Sequence, residues 1–284
     1  MNTESGQLLL FEIPARSRTL WLSPAWAVLC GLIASSAFMW TGREVLIAAL
    51  AVVITDGVWA TQWWGLVETD WRQLFANWSG IAVERSESSL ALRGSPADRS
   101  QHNLSRLRVW WQAGGREQGG TPLFSALVAL VLGVLLSAVI GGQALALTLA
   151  AFAVTQIALI LRLHGQAINW LHGFVAIGLP WLLGHAAFGE ITGLSALAGV
   201  IFSFAYAAML DLAQGASATR RWLSAQLVLV IILIVLQQPI AAVALISLLS
   251  AQALLATVLH SLDFARSAQW WLMLAMLVVA LGIR

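Results

Sequence analysis

The chain has no lysine, one cysteine and one tyrosine, and only 10% of its 284 residues carry charge. Each shortage excludes something. So few charges cannot cover a water-soluble exterior, which excludes an ordinary soluble domain. The lone Cys30 excludes an intrachain disulfide and leaves the redox compartment unread. All fifteen basic residues are arginine, which a codon bias accounts for. Met1 to Ile13 is polar or mixed, and no small-residue cleavage site follows the first apolar run, so no signal peptide is read there.

What is abundant is apolar. Hydrophobic residues make up 60% of the chain and the mean hydropathy is +0.83. A bilayer core about 30 Å thick needs roughly 20 apolar residues per helix, and such runs recur. They predict an all-α polytopic membrane protein with nine spans: Leu20–Trp40, Val45–Leu66, Pro122–Ile140, Gln143–Leu161, Ile168–Phe188, Ile191–Leu212, Trp222–Leu236, Pro239–Leu259 and Ala268–Ile283. Gly141-Gly142 breaks one run twice the length of a span, and Gln237-Gln238-Pro239 supplies a polar turn with a helix-starting proline.

Arginine placement tests that count. With a cytoplasmic amino terminus, the inside holds Arg16, Arg18, Arg72, Arg85, Arg93, Arg99, Arg106, Arg108, Arg116, Arg162, Arg220, Arg221 and Arg266. The outside holds Arg43 and Arg284. Thirteen against two is the asymmetry that arginine's resistance to translocation produces. It predicts a cytoplasmic loop at about 72–120 and a carboxyl terminus outside.

The loop from Asp70 to Gly120 is long and polar. Ile81–Glu84 and Ser89–Leu92 alternate weakly and predict a small hairpin. Leu104, Leu107, Trp110 and Trp111 recur at helical spacing opposite Arg99, Arg106 and Arg108, the pattern of an amphipathic helix at the headgroups. Nucleic acid is the rival partner for those arginines. A membrane surface already lies within reach, so membrane lipid is the predicted partner and nucleic acid is not.

Ionisable groups near apolar spans are costly in lipid and are the candidates for function. Asp56 lies within the second span, with Glu68 and Asp70 at its cytoplasmic end. Arg162 and His164 end the fourth span, and Asp211 ends the sixth, followed by Arg220 and Arg221. His172 and His185 flank the fifth and His260 ends the eighth. Helix-end Arg and His residues commonly anchor at headgroups. Asp56 reads equally as a functional acid or as a helix-to-helix hydrogen bond with a nearby Thr or Gln.

Nine spans with polar loops after the second and sixth resemble the UbiA-type intramembrane prenyltransferases, most closely chlorophyll and bacteriochlorophyll synthase. The run Ser23–Gly31 with Ser35-Ser36, the segment Gly178-Leu179-Pro180-Trp181, Gln252 and the stretch from Trp270 to Arg284 carry the likeness. It covers Leu20 to Arg284 as a single membrane domain, with Val83–Gln118 poorly matched, and it implies a bacterial inner or photosynthetic membrane. The resemblance implies an NDxxDxxxD motif after the second span and a DxxxD-type motif after the sixth, holding two Mg²⁺ ions against a prenyl diphosphate. Here Gln62–Asp70 keeps only Asp70 of the first motif, with Trp63 and Leu66 on the other two positions. The segment Leu210–Arg220 keeps only Asp211 of the second. Metal would fall to Glu68, Asp70 and Asp211, with Arg220 and Arg221 as substitute cations.

Three readings follow. The first is a non-catalytic relative that serves as a subunit or assembly factor of a photosynthetic pigment–protein complex. Its cavity, walled by Trp59, Trp63, Trp64 and Trp181 and open toward His164 and His172, would take a bacteriochlorophyll, a carotenoid or an isoprenoid. The ordinary aromatic belt is the competing account of Trp21, Trp40, Trp222, Trp270 and Trp271. The second reading is an active, divergent prenyltransferase that uses Asp70 and Asp211 with Mg²⁺. The third, a transporter or channel, lacks a charged array across spans and paired interrupted helices.

Overall fold

A computed structural model describes residues 22–39, 41–72, 103–105, 108–109 and 120–284, and it is helical throughout, with no strand among the described residues. In chain order the main helices are α1 (Pro24–Ala34), α2 (Gly42–Glu68), α3 (Thr121–Ile140), α4 (Gly142–Leu163), α5 (169–186), α6 (Gly193–Ala213), α7 (Thr219–Val235), α8 (Pro239–Val258) and α9 (Ser261–Gly282). Six of them, α2, α3, α4, α6, α8 and α9, are long and apolar enough to cross a membrane. The loop hairpin lies outside the described residues. Of the amphipathic pattern only Leu104 and Arg108 are described, both helical and exposed.

The punctuation read from the sequence appears at its residues. Gly141 takes φ +148° between α3 and α4, and Gln237 takes φ +58° just before Pro239 opens α8. The first element departs from its expected length. α1 spans 11 residues, about 16 Å at 1.5 Å per residue, roughly half a bilayer core. Pro24 at its first turn and Ser23 as N-cap set its start well inside the predicted run.

Two apolar cores lie side by side. One gathers α1, α5, α6, α7, α8 and α9 around Trp181, Phe202, Trp222 and Phe264; the other gathers α2, α3, α4 and part of α5 around Trp59, Trp63 and Phe152. α1 and α5 form the seam, and small residues let them touch. A Cβ on Gly31 would lie 1.9 Å from the Trp181 carbonyl oxygen, and one on Gly184 would lie 2.0 Å from that of Val28. This close backbone approach is the membrane form of helix packing, where interdigitated small residues replace a hydrophobic driving force.

One tryptophan assignment changes. Trp222, expected in the interfacial belt, is fully buried and donates its indole N–H to Gln252 at 2.8 Å, where Gln226 and Gln252 also pair side chain to side chain. Trp270, 59% exposed, keeps a position that suits the belt.

Candidate functional site

α2 is the element that shapes the site. Residues 53–59 and 64–68 are wound in wider π turns, so side chains rotate away from the regular helical stripe. Threonines satisfy carbonyls along this stretch: Thr55 donates to Ala51 and Val52, Thr61 to Gly57, and Thr69 to Gly65.

Asp56 projects from the first π stretch to the start of α1. It accepts a 2.5 Å hydrogen bond from the Ser23 hydroxyl and a 3.2 Å bond from the Ala25 amide. The Leu22 amide donates to Gln269 of α9 at 2.9 Å. A short helix that begins inside the bundle leaves amide donors where no water reaches, and these side chains take them up. The carboxylate also faces the positive end of the α1 dipole. Asp56 is thus a helix-to-helix contact, with Ser23 and backbone as partners rather than Thr or Gln.

Beside that junction, Pro24, Thr55, Trp63, Trp64, His172 and Val175 line a cleft of about 10 Å³. The His172 ring stacks on Trp63 at 4.7 Å and meets Tyr206 edge-on at 6.0 Å. The indole N–H groups of Trp59 and Trp63 and the Gln62 side-chain carbonyl are buried without a hydrogen-bond partner. Sites for drug-sized ligands run about 300–1,000 Å³. The cleft falls below that range, and His172 lies flat against protein rather than before an open face. A macrocycle expected here has no room.

The other members of the expected cavity lie elsewhere. Trp181 is fully buried between α5 and α6 and donates to the Ser195 hydroxyl at 3.0 Å. Ser195 in turn contacts His185 Nδ1 at 3.1 Å, and His185 Nε2 contacts the Glu190 carbonyl at 3.0 Å. Each hydroxyl and ring nitrogen of this chain has its partner, so it works as a staple between α5 and α6. His164 is exposed at the end of α4, with Nδ1 2.7 Å from the Ile160 carbonyl.

The motif carboxylates sit at one end of the bundle, each with its own neighbours. Glu68 pairs with Arg162 at 2.8 Å. Asp211 pairs with Arg221 at 3.0 Å and accepts from the Asn169 amide at 2.6 Å. Asp70 is exposed beside Arg72, whose guanidinium donates to the Leu163 carbonyl, and Arg220 is exposed as well. Among the described residues, no three His, Cys, Asp or Glu side chains group closely enough to hold a metal ion. The donor set of Glu68, Asp70 and Asp211 therefore does not fit a Mg²⁺ clamp, which needs several oxygens converging on one point.

Sequence reasoning missed Asn169, Ser23 and Tyr206. Ser23-Pro24 carries an N-cap signature, and Asn169 is an isolated polar residue at the start of an apolar run; both signals were legible. Tyr206 carried none beyond being the single tyrosine. No protein-family model, no curated protein and no solved structure matches the chain.

Proposed function

We propose that the chain is a non-catalytic membrane protein of UbiA-like architecture, crossing the bilayer nine times, that serves as a subunit or assembly factor of a membrane complex. One observation carries the reading. A carboxylate next to the first motif's remaining aspartate and the carboxylate of the second are engaged by arginines of the same bundle, Glu68 by Arg162 and Asp211 by Arg221. A diphosphate clamp needs those oxygens for metal, and an ion pair with a guanidinium withdraws them. Trp63 and His172 stack where the family motif would set its first aspartates, so the site is filled from within.

The resemblance to bacteriochlorophyll synthase directs the finer proposal, a photosynthetic pigment–protein complex in a bacterial inner membrane. The amino terminus and the 72–120 loop would lie in the cytoplasm. The arginine asymmetry supports that orientation. On this reading the shorter helices α1, α5 and α7 would supply the remaining three crossings.

Extraction from the native membrane in mild detergent, followed by size separation, tests the partner role. A defined membrane protein in fixed stoichiometry with the chain, together with pigment absorption in the same fraction, is expected. A monomer of the bare chain at every detergent concentration contradicts it.

A further inference from the structure

A second opening, away from the α1 junction, lies between α5, α6 and α7. It holds about 390 Å³ and opens sideways, at the end of the bundle that carries Arg162 and Arg221. Its floor is Ala207, Ala208 and Val228. One wall is aromatic. Trp170 meets Phe174 edge-on at 6.4 Å, and Phe174 meets Phe204 edge-on at 5.7 Å. Trp170 and Phe204 keep 44% and 49% of their surface exposed, so this wall faces outward from the protein.

The mouth is polar and its charge is unbalanced. Arg221 lines it, 65% exposed, with one guanidinium nitrogen on Asp211. Arg220 is exposed beside it, and Asn169 and Ser224 complete the rim. Arg221 is paired with Asp211, and its neighbour Arg220 is a second exposed guanidinium at the same helix end. Both arginines sit in the first turn of α7, which has no acidic residue and no side-chain cap. The helix dipole is positive there, so the sequence adds cations where a helix ordinarily places anions.

We propose that this cleft holds an anionic phospholipid of the leaflet facing that end. Its phosphate sits on Arg221 and Arg220, and one acyl chain lies along Trp170 and Phe204. The occupant is read from its chemistry. A sideways-opening apolar trough takes a chain already dissolved in the bilayer, whereas a soluble ligand would need an aqueous path. A planar guanidinium suits a phosphate through paired N–H donors. An indole at the rim marks the headgroup level, and basic pockets between membrane helices recruit anionic headgroups. The assignment rests on neither the ancestry nor the partner role proposed above.

The test uses the full chain, purified in mild detergent and offered phosphatidylglycerol or phosphatidylcholine with identical acyl chains. Native mass spectrometry then counts the lipid that survives desolvation. Phosphatidylglycerol is expected to be retained preferentially, with roughly a fivefold contribution from each arginine at low salt, shrinking as salt rises. Arg220→Gln with Arg221→Gln should abolish the preference, and Trp170→Ala should weaken both lipids alike. Equal retention of the two headgroups by the unaltered chain overturns the proposal, as does a preference that survives the double substitution. Displacement of phosphatidylglycerol by geranylgeranyl diphosphate at equal concentration also overturns it. Should the double variant not fold, the headgroup comparison and its salt dependence decide alone.

Discussion

The Ser23 hydroxyl donates to the Asp56 carboxylate at 2.5 Å, tying the start of α1 to the middle of α2 across 33 positions of sequence. The same carboxylate takes the Ala25 amide, so one side chain satisfies two donors at a helix end inside the bundle. Asp56→Ala should cost about 1–3 kcal/mol, because the part-buried Ser23 hydroxyl loses its acceptor, while the Ala25 amide keeps the Ser23 oxygen at 3.1 Å. Asp56→Asn should cost less. Denaturant unfolding in detergent measures both. An Asp56→Ala variant as stable as the unaltered chain would remove Asp56 from the structural account.

The α1–α5 seam makes a sharper prediction. Gly31→Ala and Gly184→Ala place a methyl within about 2 Å of a backbone oxygen on the facing helix, by the distances of 1.9 Å and 2.0 Å. Backbone cannot swing aside as a flexible side chain can, so each substitution should destabilise by about 1–3 kcal/mol or more and lower the folded yield. Gly42→Ala is the control, since nothing lies within 4 Å of its added carbon. Equal thermal midpoints for all three variants would contradict the close packing.

Between α7 and α8, Gln252 accepts from both Trp222 and Gln226 through one oxygen. Gln252→Leu strands two buried donors and should cost about 1–2 kcal/mol. Gln226→Leu combined with Gln252→Leu strands only the indole, so the double variant should be more stable than the sum of the singles allows. A double-mutant cycle that closes additively would show that the pair does not act as a unit.

The pattern of these contacts explains what the sequence made legible. Runs of apolar residues predicted the six long helices because each must bury or expose about 20 residues to lipid regardless of its neighbours. Gly141 and Pro239 marked turns through local backbone chemistry. Partners across the bundle were not legible. Nothing local to Asp56 points to Ser23, and nothing local to Trp222 separates a buried indole bonded to Gln252 from an interfacial one. The π turns of α2 are marked by nothing in its hydropathy run. The ion pairs of Glu68 and Asp211 were half legible: the acids and arginines stood near span ends, but which acid met which base was set by the fold.

The proposed orientation rests on the seven arginines from Arg72 to Arg116. Ser88→Cys should react with an impermeant thiol reagent only in membranes open at the cytoplasmic face, and the native Cys30 is buried and stays silent. Labelling of Ser88→Cys from outside intact cells would reverse the topology.

The central claim is that Glu68 and Asp211 are held by arginines and do not form a metal clamp. Its most direct test incubates the purified chain with geranylgeranyl or phytyl diphosphate, a chlorophyllide and Mg²⁺, and measures the esterified pigment. The account predicts no product above a protein-free control, and reduced stability for Asp211→Asn through loss of its charged partner to Arg221. Magnesium-dependent product that disappears in Asp70→Asn and Asp211→Asn, with both variants folded, would contradict the account and establish an active prenyltransferase.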